Sequence, residues 1–133
     1  MCKTSKKPIR VLTVNSHPIV AHGIRSVLAS EQRYIVDSVF NGDDCLNKLK
    51  ECKSDIVLID LDLSDVSTIE LIGYLKEEAI KVVVMAELGP KDYVPAFSRG
   101  VSGFLPKNCS PQELLEAMYN VYYNHIYLSP SLS

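Results

Sequence analysis

The chain has 133 residues, 47% of them hydrophobic, with 14 lysines and arginines against 16 acidic residues and a net charge of −2. That length and apolar content suit one soluble domain with an ordinary core, and the pI near 5.9 excludes the broad basic footprint of a chain that binds nucleic acid directly. No apolar run approaches the roughly 18 residues of a membrane span; Cys2, Cys45, Cys52 and Cys109 lack C-x-x-C spacing and follow no signal-like segment, so neither a disulfide framework nor a zinc site is indicated and a reducing, cytoplasmic setting is expected.

Residues 1–8 read as a solvated tail and 9–14 as a first strand. Asn15-Ser16-His17-Pro18 then offers a turn, with Ser16 as an N-cap and a proline suited to a helix's first turn. Val20, Ile24, Val27 and Leu28 recur at helical spacing and are expected to face the sheet. A second strand is expected over 34–40, a turn at Asn41-Gly42, and a helix over 43–53 carrying Cys45, Leu46, Leu49 and Cys52, the two cysteines as packing residues. Ile56, Val57, Leu58 and Ile59 are continuously apolar, the pattern of a strand buried on both faces in a parallel sheet. That strand delivers Asp60 to its C-terminal edge, where ligands bind in open α/β sheets.

A helix over 67–78 with Ile69, Ile72 and Leu75 inward precedes a short strand over 82–85. A short helix over 92–99, interrupted by Pro95, a turn over 100–103 and a brief strand at Phe104-Leu105 follow. Ser110-Pro111-Gln112-Glu113 is a capping box with proline at the first helical position, opening a helix with Leu114, Leu115, Met118, Val121 and Tyr122 inward. Residues 124–133, with Pro130 among serines, read as the start of a linker. His17, His22 and His125 are too scattered for a metal set. Tyr119, Tyr122, Tyr123 and Tyr127 suit either a partner subunit or packing of the last helix.

Five strand-like runs alternating with five helical ones give an α/β fold, a doubly wound parallel sheet whose right-handed crossovers gather Asn15, Ser16, Asp60, Met85 and Lys107 at one edge. Over nearly the whole chain, through VLTVNSHPIV, DIVLIDLDLSD, RGVSGFLPK, SPQEL and IYLSP, the sequence resembles the receiver domain of two-component response regulators of the LuxR/NarL type. The resemblance implies a flavodoxin-like, CheY-like receiver with a five-stranded sheet and five helices over 9–123, followed by a linker toward a helix-turn-helix DNA-binding domain. It also implies a histidine kinase as phosphoryl donor, a homodimer and a role in transcription control, with no direct nucleic-acid contact by this chain and no membrane association. Asp60 matches the phosphoacceptor, Lys107 the lysine that contacts the phosphoryl group, and Phe104 the switch aromatic.

The chain departs from the family pattern where an acidic pair would bind Mg²⁺, because Asn15 and Ser16 stand there, and at the switch threonine or serine, which is Met85. Mg²⁺ seeks hard oxygen ligands, usually including carboxylates, so with Asp60 as the remaining acid only weak metal binding is expected, with no other cofactor. A thioether donates no hydrogen bond, so the standard contact to a phosphoryl oxygen is missing. The expected function is therefore an atypical receiver with weak or no Mg²⁺-dependent phosphorylation at Asp60, in which Lys107 pairs with Asp60 instead; the alternative is a conventional receiver phosphorylated there. Asp62 and Glu87 are expected near the pocket mouth as solvated acids. IDLDLS also resembles the first motif of haloacid-dehalogenase-type phosphohydrolases, with Asp60 as nucleophile and Asp62 as acid and base, but the further acidic metal site of such enzymes has no match and no enzymatic role is expected.

Overall fold

A computed structural model describes residues 7–60, 68–86 and 100–130, and of Thr68 and Ile69 the backbone alone. The short helix expected over 92–99, the acids Asp62 and Glu87, the inward placement of Ile69 and most of the N-terminal tail lie outside the described residues. Within them the chain runs through β1 (Ile9–Val14), α1 (Pro18–Ala29), β2 (Tyr34–Val39), α2 (Gly42–Glu51) and β3 (Ile56–Asp60). It continues through α3 (Thr68–Glu77), β4 (Lys81–Met85), β5 (Val101–Leu105), α4 (Pro111–Tyr122) and β6 (Tyr127–Leu128).

The strands form one sheet in the order β2-β1-β3-β4-β5-β6, with every neighbouring pair parallel. β3 is buried along its whole length because helices cover both faces of the sheet, which is why its sequence is continuously apolar instead of alternating. Successive residues point to opposite faces. Val57 and Ile59 join Cys45 and Leu49 of α2 and Leu71, Ile72 and Leu75 of α3 in one core. Ile56 and Leu58 join Ile24 and Leu28 of α1 and Leu114, Met118 and Val121 of α4 in the other. Burial pushes the Cys45 thiol up to about 12, so it stays a neutral packing group, while Cys52 is half-buried.

Four expectations are corrected in detail. Helix α1 buries Ala21, Ile24 and Leu28, whereas Val20 is 39% exposed, because a helix starting at Pro18 turns position 20 toward the sheet's edge. The N-cap of that helix is His17, not Ser16, and its side chain makes no capping hydrogen bond. The strand expected at Phe104-Leu105 begins earlier, at Val101, and only Gly100, at φ 106°, keeps the backbone of a turn. A side chain at Gly103 would come within 3.2 Å of Val121 and 3.3 Å of the Tyr127 carbonyl oxygen, so this glycine admits α4 and β6 close to the sheet.

The fourth correction concerns residues read as the start of a linker. Tyr127 and Leu128 pair in parallel with Gly103 and Phe104 as a sixth strand where five were expected, and Ser129 is fully buried. The Ser129 N–H donates to the Phe104 carbonyl at 3.2 Å, and its hydroxyl donates to Glu113 Oε2 in the first turn of α4. The capping box at that turn forms on one side: Ser110 Oγ accepts the Glu113 N–H at 3.1 Å, while the Glu113 carboxylate turns to Ser129. At the other end of α4, Lys81 Nζ donates to the Tyr122 carbonyl at 3.0 Å, and the Arg33 guanidinium donates to Tyr123 Oη at 2.9 Å. Packing thus accounts for Tyr122, Tyr123 and Tyr127, whereas Tyr119 is 53% exposed.

Candidate functional site

The sheet order turns back between β1 and β3, and in open α/β sheets the crevice outside the strand ends at such a point receives ligands. Asp60 closes β3 in register with Met85 of β4. Both follow the alternation toward the face covered by α1 and α4, since they lie two residues beyond Leu58 and Val83. Asn15 lies one residue past β1, and Lys107 two residues past β5. The four meet in a cavity of about 220 Å³ whose remaining lining residues are His17 and Val20.

Asp60 is 5% exposed, and Lys107 Nζ stands 3.5 Å from its Oδ1. That separation is longer than the roughly 2.7–2.9 Å of a charge-assisted hydrogen bond, so the two charges face each other across a looser contact. Asn15 is 3% exposed, and its Oδ1 accepts the His17 N–H at 2.8 Å, holding the backbone that opens α1. Ser16 is exposed, with Oγ 3.4 Å from His17 Nδ1, and does not line the cavity. Met85 is 5% exposed and forms an apolar wall opposite Val20.

Of the sequence-derived site residues, the structure brings Asn15, Asp60, Met85 and Lys107 together and leaves two apart. Ser16 faces solvent. Phe104 is 1% exposed and packs with Leu12, Val84 and Val101 in the core under α2 and α3, on the opposite face of the sheet from Met85. Its ring therefore packs inward, away from the cavity. Sequence reasoning missed His17 and Val20 as lining residues; their position at the start of the helix that leaves β1 was the available signal. Among the described residues no group of three or more histidines, cysteines or acids could hold a metal ion, and no helix is long and apolar enough to cross a membrane.

The response regulator receiver domain family matches residues 11–119. The chain is 24% identical over 134 residues to the nitrate/nitrite response regulator protein NarL of Escherichia coli, an alignment covering 98% of this chain and 62% of NarL. It is 31% identical over 130 residues to the response regulator GacA of Pseudomonas aeruginosa, covering 94% of this chain and 60% of GacA. The chain thus spans less than two thirds of the length of these relatives. A crystal structure of a LuxR-family two-component response regulator from Aurantimonas sp. SI85-9A1 superposes with a TM-score of 0.85 at 25% identity, covering 95% of this chain and 93% of that one.

A parallel α/β sheet with an aspartate and a lysine meeting at its C-terminal edge defines the class as a CheY-like receiver. The chain belongs to the response regulator receiver domain family of two-component systems, in its LuxR/NarL-type group.

Proposed function

We propose that this chain is an atypical receiver, a regulatory module that acts through protein contacts with weak or no Mg²⁺-dependent phosphorylation at Asp60. The observation that carries the reading is the lining of the cavity, in which Asp60 is the one carboxylate among the described residues and sits against Lys107. The residues present do not fit a magnesium ion. Asn15 is neutral and its Oδ1 already accepts a backbone N–H, and Ser16 is turned to solvent. Two unit charges about 4 Å apart interact by roughly 4 kcal/mol at an effective dielectric near 20, so losing an acidic pair removes much of the attraction for a divalent cation.

Met85 removes the hydroxyl that would answer a phosphoryl oxygen, and Phe104 is packed in the far core. The Asp60–Lys107 pair then holds the β3 and β5 ends in one arrangement without a phosphoryl group. In the full protein the module controls an attached C-terminal DNA-binding domain, works in the cytoplasm and associates as a homodimer. A conventional receiver, phosphorylated at Asp60 by a histidine kinase, is the second reading, favoured by the retention of Asp60 and Lys107 at their expected strand ends.

The test is intact mass and size-exclusion chromatography after incubation with Mg²⁺ and acetyl phosphate or beryllofluoride, with Asp60→Asn as control. An unchanged mass and oligomer are expected; an aspartate-dependent gain of one phosphoryl group with a shift in oligomer establishes the second reading instead.

A further inference from the structure

The cavity beside Asp60 does not end at Met85. A second cavity of about 230 Å³ shares Val20, Met85 and Lys107 with it and runs on between α1 and α4 to Ile24, Val27 and Leu114. One end of the joined space is charged and the other apolar, and its size lies at the lower end of the roughly 300–1,000 Å³ typical of small-molecule sites.

We propose that this space binds a small zwitterion with an apolar side chain, an α-amino acid of the aliphatic or thioether type, whose ammonium group meets Asp60 and whose carboxylate meets Lys107. The proposal rests on the reading of a site that does not depend on a phosphoryl group.

Charge complementarity selects the ligand class. An anion alone would meet the buried Asp60 carboxylate, and a cation alone would meet Lys107; a zwitterion answers both charges at once. The present contact of 3.5 Å is loose, and Lys107 is 38% exposed, so its flexible stem can swing to admit a ligand between the two groups. Asn15 is nearly fully buried at the same end, and because its Oδ1 accepts from His17, its amide N–H groups are what it offers a ligand carboxylate. Val20 is exposed to 39% on a helix whose other apolar residues are packed, and it stands opposite Met85, a side chain that adapts to irregular apolar shapes. Cys109 in the groove wall adds no charge at neutral pH, since burial pushes its thiol up to about 11.

Isothermal titration of the 133-residue chain with L-leucine and L-methionine tests the inference. Saturable binding is expected, weakened at least about tenfold for 4-methylpentanoate, which lacks the ammonium group, and for 3-methylbutylamine, which lacks the carboxylate, because each leaves one charge unanswered. Glycine, without the side chain, should bind weakest of the amino acids. Lys107→Gln should abolish binding, and Met85→Thr, which keeps both charges, should weaken leucine by about tenfold through lost apolar contact. Absence of binding at millimolar amino acid by a folded chain overturns the proposal, as does equal affinity for the amine or the acid alone. The mass experiment above is read separately: a phosphoryl gain there removes the functional reading, whereas a null titration with no such gain removes only the ligand.

Discussion

β1 and β3 lie side by side and end at the same edge of the sheet, each delivering a buried polar residue to the same cavity. At the end of β3, Asp60 faces Lys107 from the far side of the site, a partner 47 residues further along the sequence and two residues past β5. At the end of β1, Asn15 turns its oxygen back onto the His17 N–H two residues away and so serves its own chain. Position at a strand end is therefore not enough to make a polar residue a ligand group. What matters is whether its acceptor is left for a partner across the site or is taken by the local backbone.

The largest change to that comparison should come from Asn15→Asp combined with Ser16→Asp. A carboxylate at position 15 keeps the acceptor for the His17 N–H while adding charge beside Asp60. Mg²⁺ affinity by calorimetry should rise at least about a hundredfold, roughly 2.7 kcal/mol, and acetyl phosphate should then add a phosphoryl group to Asp60. Unchanged affinity would show that charge at the end of β1 does not reach the cavity.

A smaller effect is expected from Lys107→Ala, which removes the cation 3.5 Å from a carboxylate that is 5% exposed. Because the lysine is partly solvated, the loss in urea unfolding should be about 1–2 kcal/mol, well short of a fully buried pair. Asp60→Asn in that background should recover part of it, and a double-mutant cycle with no coupling would break the idea that the two strand ends are held by this pair.

The smallest differences separate the helix starts. Ser110→Ala and Asn41→Ala should each cost about 1 kcal/mol in thermal denaturation, since both side chains accept a backbone N–H three residues on. His17→Ala should cost less than about 0.5 kcal/mol, because Asn15, not the histidine side chain, receives the N–H at the start of α1. An equal loss at all three would erase the local role given to Asn15.

The sheet, its parallel order and the meeting of Asp60 with Lys107 were legible because continuous apolar runs, helical spacing and a capping box all report burial through period and composition. Asn41 and Ser110 could be read as helix starts for the same reason: a polar acceptor precedes an apolar period. Phe104 was different. An aromatic in a five-residue strand does not announce which face it occupies, and the irregular register between Val82 and Val83 on the neighbouring strand obscures the alternation that would have assigned it to the core under α2 and α3. Val20 was misread because a stripe of apolar residues along α1 fixes the helix but not where the sheet beneath it stops. β6 escaped altogether, since two residues carry no period and Pro130 with its serines has the composition of a linker.

That short strand has a practical bearing on where the domain can be cut. Without Tyr127 and Leu128, the outer side of β5 would present unpaired backbone groups, the kind of raw edge that recruits strands from other molecules. A fragment ending at Tyr123 would retain the four described helices and five of the strands but would leave the Phe104 carbonyl without the Ser129 N–H, Glu113 without the Ser129 hydroxyl, and β5 uncovered. The natural seam of this receiver therefore falls beyond Ser129, and a shorter excision trades a few residues for a surface that favours self-association.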